Sequence, residues 1–142
     1  PEARLRAYIQ AALEEILDGE GGMGRSAQLS AIYLAEMAHP SEALDQIVDL
    51  HIKRNNDELL DIVGQLLAAP ISDGLARDAA AGVSAQILRF FFARPLISRL
   101  NPDQPPPGQR LDEVVERVWQ FSLGGILALR PPIATAATPA RD

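Results

Sequence analysis

An all-α bundle of five to six helices is the fold class this sequence predicts. Three observations predict it. Apolar residues recur at helical spacing through five long stretches, and no stretch alternates apolar and polar residues between turn signals as a strand would. Aromatic residues make up only 5% of the 142-residue chain, which leaves a core of Leu, Ile, Val and Ala suited to helix-on-helix packing.

The first helix is expected from about Glu2 to Asp18, with Leu5, Tyr8, Ile9, Ala12, Leu13, Ile16 and Leu17 at helical spacing. Pro1-Glu2 is good first-turn chemistry, because proline lacks a donor that would be orphaned there anyway and glutamate complements the helix dipole. "GEGGMG", Gly19 to Gly24, reads as a connection. The second helix spans about Ser26 to Ala38 and is stopped by His39-Pro40. Ser41 is placed to cap a third helix that runs to about Ala68, with a kink or break expected at "KRNND", Lys53 to Asp57. Ser72 or Asp73 opens a fourth helix reaching Arg94 and, past a kink at Pro95, Leu100. Asn101 to Gln109 is a proline loop, and the fifth helix runs from about Arg110 to Leu129. A disordered tail is expected over 131–142, which leaves residues 1–130 as one domain.

Composition narrows the function. A net charge of −6 argues against binding nucleic acid through phosphate contacts of this segment's own. With no cysteine there is neither a disulfide nor a thiolate metal site, and no apolar run reaches the ~20 residues a membrane helix needs. A cytoplasmic location without membrane contact is the expectation. No signal peptide is visible, and a chain that starts at Pro1 reads as a C-terminal fragment of something longer.

Motifs for chemistry are weak. "GEGGMGRS", Gly19 to Ser26, has the glycine spacing of a phosphate loop, but Arg25 stands where lysine belongs and no strand precedes it. His39 and His51 have no histidine partner at helical spacing, so no metal site is expected. No nucleophile elbow surrounds any serine, and the carboxylates are scattered over helix faces. No catalytic residue and no cofactor are implied; the chain reads as a non-enzyme.

The fourth and fifth helices carry the stronger signal. Phe90, Phe91 and Phe92 are three of only four phenylalanines, and consecutive helical residues point about 100° apart. Such a helix is apolar nearly all round and asks for partners on two sides. Upstream of it, small residues from Ala79 to Ala85 permit close approach of another helix, and the fifth helix carries Gly124-Gly125, each glycine costing about 1 kcal/mol relative to alanine. A homodimer through these two helices is expected, with Ala79, Gly82, Val83, Phe91, Val115, Val118, Ser122 and Gly125 as candidate interface residues.

These patterns resemble the C-terminal domain of tetracycline-repressor (TetR) family regulators, in the CecR-like subgroup. The resemblance lies in "PEARLRAYI" at the start, "YLAEMAHPSEALDQIV" at Tyr33 to Val48, "ELLDIVGQLL" at Glu58 to Leu67 and "AQILRFFFARPLI" at Ala85 to Ile97. It implies that the last two helices form an intersubunit four-helix bundle. It also implies a one-component sensor, in which a small-molecule effector lodges among the first four helices and alters operator binding by an N-terminal helix-turn-helix domain that this chain does not contain. An effector acts only through unequal affinity for two states of the regulator. The candidate effector-lining residues are those that are large or polar on apolar faces: Tyr33, Met37, His51, Asn55, Gln86, Phe90 and Trp119. A free-standing helical module that docks a different protein is the alternative.

Overall fold

The computed structural model describes residues 1–17, 25–68 and 74–130. Seven α-helices are found there: α1 (Glu2–Leu17), α2 (Arg25–Ala38), α3 (Glu42–Ile47), α4 (Lys53–Leu67), α5 (Gly74–Phe92), α6 (Arg94–Leu100) and α7 (Leu111–Ala128). A π-helical segment, Val48–Ile52, joins α3 to α4, and a 3-10 turn, Pro107–Arg110, leads into α7. No strand occurs among the described residues, so the chain is all-α. The expected linker at Gly19 to Gly24, the caps at Ser72 or Asp73 and the tail at 131–142 lie outside the described residues.

The core is α1, α4, α5 and α7. Helix α1 buries Leu5, Ile9, Leu13 and Leu17, a strict four-residue stripe that faces the other three helices. Leu59, Ile62, Val63, Leu66 and Leu67 of α4 meet Ala76, Ala80, Val83, Ile87 and Phe90 of α5, and Val114, Val115, Val118 and Ile126 of α7 complete the cluster. Polar ties secure the ends. Trp119 donates its indole N–H to the Glu2 carbonyl at 3.2 Å, and Arg130 donates to the Leu66 carbonyl at 2.6 Å, covering an otherwise orphan acceptor at the end of α4. Helix α4 ends with Ala68 in the left-handed region (φ 54°), a conformation that costs alanine roughly 1–2 kcal/mol.

Helices α2 and α3 form an outlying arm with no fully buried residue among those described from Gln28 to Glu58. The arm reaches the core through Tyr33, whose ring meets Phe91 of α5 edge-on at 5.8 Å. Its corner is the one expected at His39-Pro40. Ser41 caps α3 by accepting from the Ala43 amide at 3.2 Å, while the Glu36 carboxylate accepts from both the Ser41 amide and hydroxyl.

Two breaks differ from expectation. The single long third helix is interrupted at Val48–Ile52, just before the polar "KRNND" stretch, which is itself regular α4. At the other, α5 ends at Phe92 rather than running on to a kink. Pro95 cannot donate to the Phe91 carbonyl and its ring would clash there, so the chain leaves helical geometry at Ala93 (φ −100°, ψ 10°) and restarts as α6.

Candidate functional site

Three surfaces offer a site: two cavities and one bare helix face. The first cavity, about 330 Å³, lies between α1 and α4 and is lined by Arg4, Tyr8, Ala12, Glu15, Asn55 and Glu58. Its rim is set by antiparallel packing of the two helices, which pairs Arg4 with Asp61 at 2.8 Å. That arginine, with a second hydrogen bond from Gln65, holds the Asp61 carboxyl below its ordinary 3.8. Burial, then the charge of Glu58, pushes the Tyr8 phenol above its ordinary 10.0.

The signs of these two effects differ. Asp61 binds its proton less readily when folded, so its stabilisation is present above pH 3.8 and is lost as pH falls below that value. Tyr8 keeps its proton more firmly when folded, so its stabilisation holds below pH 10.0 and is lost as pH rises beyond. Glu58→Gln is expected to bring the phenol only part of the way back, because burial is the larger cause. Ultraviolet titration of phenolate in a Tyr33→Phe background measures it, and a full return to 10.0 would show that charge dominates instead.

The second cavity, about 470 Å³, sits under α6 and the proline loop, with Phe90 and Ile97 as apolar lining and Arg94 and Arg110 as its charged groups. Phe90 is only 3% exposed, and the Arg89 guanidinium lies over its ring, 4.4 Å from the centroid.

The third surface is the outer side of the α5–α7 pair. Gln86 of α5 donates to the Ser122 hydroxyl of α7 at 3.0 Å, joining the two helices at the edge of the core. One turn before Gln86, on the same side of α5, stands Gly82. On α7, Phe121 and Gly125 stand one turn apart. All three are exposed, Phe121 at 74%. A methyl group built on Gly82, Gly124 or Gly125 meets nothing within 4 Å among the described residues.

The sequence-derived candidates therefore separate. Of the interface candidates, Ala79, Val83, Val115, Val118 and Ser122 are taken up by the subunit's own core, and Phe91 is half-buried against Tyr33 and Phe92. Gly82 and Gly125 face outward. Of the effector candidates, Asn55 lines the first cavity and Phe90 the second. Gln86 and Trp119 serve as clasps between helices, Tyr33 anchors the arm, and Met37 and His51 are exposed on it. Phe121 was absent from both sets. Its signal was available: it is the fourth phenylalanine, three residues after Val118 and four before Gly125.

Among the described residues no group of three or more His, Cys, Asp or Glu is placed to hold a metal ion, and no helix is long and apolar enough to cross a membrane. The fold and its surfaces define an all-α domain with two side cavities and one helix pair whose glycines and one large ring look outward. The sequence places it more narrowly. Residues 1–126 match the family described as the C-terminal domain of the HTH-type transcriptional dual regulator CecR, and the chain belongs to that family, a family of TetR-type regulator domains rather than an enzyme family. Neither the curated proteins nor the solved structures gave a match.

Proposed function

We propose that residues 1–130 are the ligand-sensing and dimerisation domain of a one-component transcriptional repressor. In this reading two copies join through the outer faces of α5 and α7 into a four-helix bundle. A small molecule held beside the core then changes the packing that the bundle transmits to DNA-binding heads carried outside this domain. The protein works in the cytoplasm and touches operator DNA only through those heads.

The observation that carries the dimer is the glycine set on α5 and α7. Each glycine inside a helix costs about 1 kcal/mol against alanine. Among the described residues nothing requires the missing side chain at Gly82, Gly124 or Gly125, since none lies within 4 Å of a methyl built there. A close neighbour supplied by another chain gives all three a purpose.

Gly82→Leu tests this directly. Open space at that position lets the leucine fit the monomer, so the helical circular dichroism is expected to persist while the sedimentation coefficient falls to that of a monomer. A variant that still sediments as a dimer would remove Gly82 from the interface. A wild-type domain that is monomeric at every concentration would instead favour the free-standing interaction module.

A further inference from the structure

We infer that the cavity beneath α6 binds a small organic carboxylate with a flat apolar body, which deepens the sensor reading above and rests on it. The inference starts from charge. Acidic residues outnumber basic ones 19 to 13 over the chain, yet residues 89–110 hold Arg89, Arg94, Arg99 and Arg110 against Asp103 alone. Of these, Arg94 and Arg110 line the cavity, and no carboxylate of the described residues does.

The two arginines are used differently. Arg110 is braced: its Nε donates to the Pro105 carbonyl at 3.3 Å, its Nη2 to Gln104 Oε1 at 3.1 Å, and it shares Glu113 with Arg117. Among the described residues Arg94 makes one hydrogen bond, from Nη2 to the Ile16 carbonyl at 3.3 Å, and no carboxylate there lies within ion-pair distance of it. A guanidinium has five donors in a planar fork, so Arg94 retains donors with the geometry to grip a carboxylate through two parallel bonds.

The remaining lining selects the rest of the ligand. Phe90, Ile97 and prolines 102 and 105–107 supply apolar surface. Fixed proline φ angles make much of that wall rigid before binding, which lowers the ordering cost. At about 470 Å³ the cavity falls in the usual range for small-molecule sites, and its balance of apolar wall to one available cation suits an aromatic acid better than a bare inorganic anion.

The test uses 2-naphthoate, naphthalene-2-carboxamide and inorganic phosphate, followed by calorimetry and amide NMR shifts on the domain. The acid is expected to bind with shifts centred on Arg94, Ile97 and Asn101, and the neutral amide and phosphate to bind at least about tenfold more weakly. Arg94→Met is expected to cost a similar factor. Because Arg94 also holds the end of α1, Ser98→Glu serves as a second variant: Ser98 lines the cavity and its hydroxyl bonds only to Pro95 of its own helix. It should repel the acid with the fold intact, while Arg77→Met, on exposed surface, should change nothing. Equal binding of acid and amide, equal binding of phosphate, undiminished binding to Ser98→Glu, or shifts centred on Tyr8 and Asn55 would each overturn the assignment. A wild-type dimer that ignores naphthoate overturns this site alone; a wild-type monomer overturns the proposed dimeric-sensor role, whatever naphthoate does.

Discussion

Phe121→Glu is expected to turn the dimer into a monomer that keeps its fold. The ring is 74% exposed in the subunit, so the subunit loses little by its replacement. In the proposed dimer the same ring is buried from each chain, and burying one phenylalanine contributes about 1.5–3 kcal/mol. A two-fold interface counts the change twice, and each glutamate brings a charge that must be desolvated without a partner. A loss of about 4 kcal/mol or more corresponds to roughly a thousandfold weaker association. Sedimentation velocity across a dilution series reads it, and a dissociation constant within about threefold of wild type would move the interface off this face.

Leu13→Ala is expected to have the largest effect on stability. Leu13 is fully buried, in the stripe of α1 that packs against α4, α5 and α7 together. Truncation of a buried leucine costs about 2–5 kcal/mol, and the upper part of that range applies where surrounding helices cannot collapse into the space. Here α1 is pinned at both ends, by Trp119 on the Glu2 carbonyl and by Arg94 on the Ile16 carbonyl. The gap therefore stays open. Against a typical total of about 5–15 kcal/mol, such a loss brings the domain near its unfolding threshold. Urea denaturation measures it; a midpoint that hardly moves would mean that α1 is free to settle inward despite its ties.

How far the sequence could be read depended on the kind of signal. Helix ends marked by chemistry were legible: the His39-Pro40 stop, the Ser41 cap and the Asn101 to Gln109 loop all fall where local sterics and hydrogen bonding put them. The π-helical segment at Val48–Ile52 was not, because nothing in "VDLHI" distinguishes it from ordinary helix. The α1 stripe was plain from its four-residue spacing. On α5 and α7 the difficulty was the opposite, since residues that could pack occur on every side and periodicity does not say which side the core takes. Val83, Val115, Val118 and Ser122 went to the core, which left Gly82, Gly125 and Phe121 outside. Polar residues on apolar faces were equally ambiguous. Gln86 and Trp119 stand in the sequence as candidates to line a cavity, and the structure employs them to hold helices together. The arginine-rich cavity under α6 depends on Arg94 and Arg110, sixteen residues apart, being brought together by a proline loop, and no local pattern announces that.

The Gln86–Ser122 bond has a mechanical consequence for any signal that crosses this domain. Ser122 is buried and Gln86 half-buried, so sliding α5 along α7 by one turn, about 5.4 Å, would break the bond and leave the Ser122 hydroxyl unpaired at a cost of about 1–3 kcal/mol. Tilting the two helices together leaves the bond untouched. The bond thereby favours motions that carry the two helices together over ones that slide them past each other, so that a dimer built on this pair would more readily pass an angle than a stroke.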